Sequence, residues 1–481
     1  MSIREKTISG LTWSGVDSLS LNFLRFVITV FLARLLVPED FGLIAVLGIF
    51  IAISDTIING GLGSSLIRQK SISKLDYDTV FVYNLCLSFF FYFIIFLLSP
   101  FIASFFKKPQ LELLSKVIGL VLILHGLGIV QLTSLRRALN FKKIAQINII
   151  STLVAGFFAI SMAYSGFGVW SLVTQLLLKS LISTVMLWRL GVWKFALRFN
   201  KVSFKENFKF GQHIIIADII NSIAYESYNF LIGKFYNLKT LGYFYQGSRI
   251  SSLPSGIVGN VFKSVSYPVL SSIQEDDERF NKIYLRFIRA ASFISFPLMF
   301  LLIIIAKPLF ILVLSKKWID AVIFFQIISI GGMLMPLITI SGNIPLIKGR
   351  SDIYMKLGIL YNLLLIMLLI ISSFIGIHAM AVSLVIQLFI QFLANNFIIS
   401  KYLGISVSTQ FRYLIDIFII SLLLSILIYP IKYLISSNFI LVLIQCLVFC
   451  LFYFLISYYR KSEEIIVIKN LLLKRFLAIL G

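Results

Sequence analysis

Eight of the ionisable side chains that stand in largely apolar stretches of this sequence could do chemistry there. They are Asp17, Asp55, Asp218 and Glu226, and Arg25, Lys179, Arg249 and Lys263. An ionisable group at the centre of a lipid bilayer costs on the order of 2.5–3.5 kcal/mol on insertion scales, so each needs a reason. A carboxylate in a low dielectric holds a proton or seeks a cation, which makes Asp17, Asp55, Asp218 and Glu226 candidates for ion coupling. Arg25, Arg249 and Lys263 are candidates for meeting a phosphate-bearing ligand, with arginine suited to bidentate phosphate contacts. Asp17 and Arg25 are eight residues apart, as are Asp218 and Glu226. At 100° per residue this sets the members of each pair about 80° apart, so both can face one internal space. The competing reading is that the charges pair with each other, Arg25 with Asp17 and Arg249 with Glu226, or snorkel to an interface. Snorkelling bears most on Lys179 and Lys263. His213 could titrate near neutral pH, or simply stand at a membrane interface. Pro254, Gly256 and Pro336 are candidate kinks or hinges, because proline removes a helical hydrogen bond.

The elements that carry these residues are membrane helices. The chain has 481 residues, 59% hydrophobic and 13% charged, where a soluble domain carries about 25% charged residues to solvate its surface. Lipid is therefore the natural solvent, and the fold class is all-α and polytopic. Runs of about 20 apolar residues mark spans. Fourteen can be read, at 11–36, 40–62, 79–103, 111–135, 144–165, 167–191, 211–236, 240–268, 286–306, 319–345, 353–375, 377–400, 411–434 and 438–458. The first is too long for the apolar part of a cleavable signal peptide. With the N-terminus inside, the cytoplasmic segments hold about three times as many Arg and Lys residues as the opposite loops. The densest cluster is Arg189, Lys194, Arg198, Lys201, Lys205 and Lys209. Topology thus accounts for the net charge of +23 without a nucleic-acid partner. Residues 461–481 read as a cytoplasmic interfacial tail. Cys86, Cys446 and Cys450 lie in apolar runs, and His125, His213 and His378 are scattered. Neither set has the spacing of a disulfide framework or a metal site, and no cofactor is expected.

The chain also repeats. Ala33-Arg34 through Phe41-Gly42-Leu43 aligns with Gly233-Lys234 through Leu241-Gly242-Tyr243, 200 positions on. Lys107-Lys108 matches Lys316-Lys317, and Gly166 matches Gly376, in the same order with a slowly growing offset. Two six-helix bundles of the same orientation follow, over 1–200 and 201–405, then helices thirteen and fourteen over 406–460. A substrate path between bundles related by an axis along the membrane normal permits alternating access.

Gly10-Leu11-Thr12-Trp13, followed by Leu32-Ala33-Arg34-Leu35-Leu36-Val37-Pro38-Glu39-Asp40-Phe41-Gly42, resembles the opening of the polysaccharide transporter family. These are the Wzx-type exporters of the multidrug/oligosaccharidyl-lipid/polysaccharide flippase superfamily. Further matching pieces are Gly61-Leu62-Gly63, Leu66-Ile67-Arg68-Gln69-Lys70, Gly166-Phe167-Gly168-Val169-Trp170 and Lys348-Gly349-Arg350. The resemblance covers about 400 residues of the first twelve spans. It implies movement of undecaprenyl-diphosphate-linked oligosaccharides from the cytoplasmic to the periplasmic leaflet, for surface polysaccharide or lipopolysaccharide assembly. It also implies cations in helices one and eight, here Arg25 and Arg249. In one place the chain departs from the pattern. The family is expected to carry an acidic residue just before the Asn-x-x-Ile-Gly stretch of helix seven, whereas Tyr228 precedes Asn229 and Glu226 stands two residues earlier.

The expected protein is a flippase of the bacterial inner membrane, multi-pass with both termini cytoplasmic, and not an enzyme. Its expected partners are the lipid-linked oligosaccharide, membrane lipids, and polysaccharide polymerase or assembly proteins. A cation-coupled drug or small-solute exporter of the same superfamily is the alternative. A membrane glycosyltransferase or polymerase is a weaker one, since such enzymes carry a sizeable periplasmic loop and the loops here are short.

Overall fold

A computed structural model describes residues 3–59, 61–69, 72–191 and 193–464. Side chains are described for these except at 3–12, 14, 16, 64, 68, 210, 211, 213 and 214. The side chain of His213, and the expected interfacial tail from residue 465 onward, lie outside the described residues.

The described chain is helical from end to end, with short connections and no strand among the described residues. It divides into two compact units, residues 1–245 with 358–377, and residues 246–357 with 378–481. The first unit begins with α1 (Ile3–Leu35), α2 (Pro38–Asn59), α3 (Leu62–Arg68) and α4 (Lys74–Phe105). Then come α5 (Gln110–Ile118), α6 (Leu120–Arg137), α7 (Phe141–Tyr164), α8 (Val169–Leu190) and α9 (Lys201–Phe235). The next helix, α10 (Leu238–Ser272), starts in this unit and continues into the second. The second unit holds α11 (Asp277–Val313), α12 (Ala321–Gly332), α13 (Met335–Gly342) and α14 (Ile344–Ile347). Most of α15 (Ser351–Ser373) returns to the first unit, and α16 (Ile377–Leu403), α17 (Val407–Ile428) and α18 (Asn438–Tyr459) complete the second.

Among the described residues, twelve helical segments are long and apolar enough to cross a membrane. The two long helices outside that set are α9 and α10, 35 residues each, at the places of spans seven and eight. They carry Asp218, Glu226, Arg249 and Lys263 together with runs of Ser and Gly, which dilute their apolar surface. Elsewhere the outward faces are greasy. Phe89, Phe90, Phe93, Leu97 and Phe101 of α4 are all more than half exposed. A water-facing helix would put polar residues there, but lipid rewards this pattern.

Packing groups the helices differently from their order in the chain. The repeat assigns α9 to the second six-helix half, yet α9 packs along α2 and α3 within the first unit. Thr56 Oγ1 and Ser222 Oγ are 2.7 Å apart, and Ser65 Oγ donates to Asn207 Oδ1 at 2.7 Å. These polar bonds, the second buried and the first partly so, fasten α9 there. The second unit is organised around α11, against which α12, α13, α17 and α18 pack. Phe280, Tyr284, Ile288, Phe296 and Met299 form its buried face.

Candidate functional site

A cavity of about 790 Å³ lies within the first unit. Three helices present one face each to it. From α2 come Ile44, Gly48, Ile51, Ala52, Asp55 and Asn59; from α6, Val121, Leu124, His125, Gly128, Leu132 and Arg136; from α8, Leu176, Lys179, Ser180, Ser183, Thr184 and Leu187. Steps of three and four residues keep such positions on one side of a helix. The remaining polar lining comes from Thr133 of α6, Asn148 of α7, Asp218, Glu226 and Asn229 of α9, and Tyr245 of α10.

A short polar contact in the cavity joins α2 to α6. His125 Nδ1 lies 2.7 Å from Asp55 Oδ1, and His125 Nε2 lies 3.2 Å from Ser180 Oγ on α8. With Nδ1–H donating to the carboxylate, Nε2 keeps a lone pair that accepts from the Ser180 hydroxyl. Glu226 accepts from Asn229 Nδ2 at 2.7 Å. The carboxylate thus reaches one helical turn forward to the start of the Asn-x-x-Ile-Gly stretch. Asn148 Nδ2 donates to Asp17 Oδ2 at 3.1 Å, tying α7 to α1.

Of the residues singled out in the sequence, the cavity gathers Asp55, Lys179, Asp218 and Glu226. Asp17 stands behind Asn148, and Arg25, exposed on α1, is within electrostatic reach of Asp17. Arg249, partly exposed, and Lys263, exposed, lie on the part of α10 that belongs to the second unit. Pro254 and Gly256 sit inside the unbroken α10. Pro336 stands in the first turn of α13, after α12 has ended at Gly332. Sequence reasoning missed His125 and Arg136 as lining residues. His125 was visible as a lone polar residue in an apolar run, as was Asp55, and pairing such residues of complementary chemistry would have suggested the contact.

The lining offers carboxylates, amides, hydroxyls, an imidazole and two permanent cations in a concave space. Convergent donors and acceptors of this kind suit a polyhydroxylated or charged ligand better than a purely apolar one. Among the described residues no cluster of His, Cys, Asp and Glu is arranged to hold a metal ion.

Comparison with known proteins follows from this geometry. Residues 31–323 match the family described as polysaccharide biosynthesis protein. The chain belongs to that family. The lipopolysaccharide biosynthesis protein WzxC of Escherichia coli (strain K12) is 27% identical over 381 residues, 78% of this chain and 76% of that protein. The succinoglycan biosynthesis transport protein ExoT of Rhizobium meliloti is 26% identical over 351 residues, 72% of this chain and 70% of that protein. Among solved structures, the lipid II flippase MurJ in an inward closed conformation has a TM-score of 0.76 at 17% identity, covering 94% of this chain and 99% of that one. An inward-facing MATE family multidrug resistance transporter has a TM-score of 0.59 at 16% identity, covering 80% and 98%. At such identities the likeness establishes the fold alone, which this chain shares with both solved transporters.

Proposed function

We propose that the protein is a flippase that carries a lipid-linked, undecaprenyl-diphosphate oligosaccharide from the cytoplasmic to the periplasmic leaflet by alternating access. The observation that carries this reading is the polar, charge-lined cavity of about 790 Å³ inside a bundle of membrane helices, in a member of a polysaccharide biosynthesis family. A sugar headgroup needs such a space to cross a bilayer, because its hydroxyls find no partners in hydrocarbon. The transport named for ExoT and the lipid II flipping named for MurJ support the same reading, and with it a transporter rather than an enzyme.

In this account α9 and α10 also span the membrane, giving fourteen spans, with both termini in the cytoplasm of a bacterium and the chain in its inner membrane. Arg25, Arg249 and Lys263 meet the diphosphate. Asp17, Asp55, Asp218 and Glu226 bind the coupling ion, and Pro254, Gly256 and Pro336 accommodate the change of shape. Polymerase and assembly proteins receive the flipped product. Depletion in cells tests the reading: lipid-linked precursors should accumulate on the cytoplasmic face and vanish from the periplasmic one. Precursors equally accessible on the periplasmic face after depletion would sink it.

A further inference from the structure

The connection between α8 and α9 is not a passive loop. Residues 193–200 are without regular secondary structure, yet hydrogen bonds pin them at both ends, buried ones at Trp193 and partly buried ones at Asn200. Gln131 Nε2 donates to the Trp193 carbonyl at 2.8 Å, and Trp193 Nε1 donates to Asp78 Oδ1 at 3.0 Å. Asn200 N donates to Thr79 Oγ1 at 3.1 Å, and its side chain then caps α9 by accepting from Val202 N and Ser203 N. Ser203 Oγ binds Asp76, and Asn207 is held by Ser65. The rings of Phe81, Trp188, Trp193 and Phe195 pack together beneath, with centroids 5.1 to 6.3 Å apart.

The side chains left on the outer face of this rigid support are of two kinds. Lys194, Arg198, Lys201 and Lys205 are exposed, and among the described residues none of them forms an ion pair. Interleaved with them are Leu197 at 76% and Val202 at 66% exposure. The nearby acids Asp76 and Asp78 are spent on the internal bonds, so the cations outnumber the one exposed carboxylate, Glu206. This rests on the proposed reading in which α9 spans the membrane: at about 1.5 Å per residue it is longer than the roughly 30 Å hydrocarbon layer, so its first turns reach the headgroup level. Greasy residues beside cations at that level match a leaflet surface. Apolar tips enter the acyl boundary while ammonium and guanidinium groups meet phosphate.

We propose that residues 194–205 form a binding platform for anionic phospholipid headgroups of the adjoining leaflet. Topological bias explains why cations occur on that side of the membrane. It does not explain why they stand on an ordered, hydrogen-bonded support with exposed Leu197 and Val202 between them. Charge complementarity selects the occupant: a headgroup with net negative charge is held, and a zwitterionic one is not.

Lipid retention on the full chain tests this. The protein, purified in mild detergent, is offered equimolar phosphatidylglycerol and phosphatidylethanolamine and weighed by native mass spectrometry. The expected result is at least about tenfold preference for phosphatidylglycerol, lost in the triple variant Lys194→Gln, Arg198→Gln, Lys201→Gln. Leu197→Ser with Val202→Ser, which keeps every charge, is expected to weaken retention several-fold. Inorganic phosphate at the lipid's concentration is expected to leave it unchanged. Size-exclusion profile and thermal midpoint confirm that each variant is folded; if the triple variant is not, single glutamine variants replace it. Equal retention of the two lipids, undiminished retention in the folded variants, or displacement by inorganic phosphate would each overturn the proposal.

Discussion

Gly42 and Gly242 pack reciprocally against the starts of one another's helices. A Cβ on Gly42 would stand 2.0 Å from the carbonyl oxygen of Leu238, and one on Gly242 would stand 1.9 Å from that of Pro38. Leu238 opens α10 and Pro38 opens α2. The two glycines are the pair that the sequence repeat places 200 positions apart, and the contact gives the repeat its physical reason. The helix starts cross so closely that each needs a residue without a side chain.

Replacing either glycine by alanine therefore forces backbone against a methyl group. Gly42→Ala and Gly242→Ala are each expected to destabilise the protein by about 1–3 kcal/mol, read as a lower thermal midpoint in detergent. Gly256 is the control, since its Cβ would meet nothing within 4 Å. Gly256→Ala should stabilise by about 0.5–1 kcal/mol through the unfolded chain. If it also slows transport, the hinge role proposed for this position gains support.

Asp55 and His125 should act as one unit. If the contact between them matters for transport, Asp55→Asn and His125→Gln each lower the flipping rate, and the double variant is no slower than the worse single one. Multiplicative losses in a reconstituted assay would show that the two side chains work independently.

A second charged cluster, in the other unit, is structural. Arg289 Nε donates to Glu464 at 2.8 Å, Nη2 to Asp416 at 3.0 Å and Nη1 to the Tyr413 carbonyl at 3.2 Å. All three ionised side chains are less than a quarter exposed. Arg289→Ala would leave two carboxylates without their main partner, at a cost of about 3–5 kcal/mol. Arg289→Lys should recover only part of this, because an ammonium cannot copy the three-way fork. Thermal unfolding of both variants checks the order.

The membrane sidedness read from alternate loops can be checked with cysteines placed in a chain whose Cys86, Cys446 and Cys450 are serine. An impermeant thiol reagent is expected to label Gln110→Cys in intact cells and Glu275→Cys only after permeabilisation. The reverse pattern would invert the proposed orientation and reopen a periplasmic role for the acidic run Glu275 to Glu278.

Much of the fold was legible because lipid imposes a simple rule, a long apolar run for each crossing. Among the described residues twelve such helices stand out, while α9 and α10 are blurred by the same polar residues that make them interesting. Gly42 and Gly242, the pair that the repeat aligns, stand where an added methyl group would crowd the backbone of the facing helix start. The candidate site was legible only in part. Asp55, Asp218 and Glu226 could be flagged as costly charges, but Asp55 meets His125 across 70 residues and Arg289 meets Glu464 across 175. Such pairings depend on which helix faces turn toward each other, and periodicity alone does not encode that. The placement of α9 beside α2 was missed for a similar reason. Thr56–Ser222 and Ser65–Asn207 are ordinary polar residues whose partners only packing reveals.

The most direct test of the central claim is transbilayer movement in proteoliposomes containing the purified full chain. The substrate is a fluorescently tagged polyprenyl-diphosphate oligosaccharide, followed by its protection from an impermeant quencher. The account predicts protein-dependent flipping that falls sharply in folded Arg25→Ala and Arg249→Ala variants. A rate no faster than in protein-free vesicles would contradict the flippase itself, and native rates in both variants would contradict the diphosphate role of the two arginines.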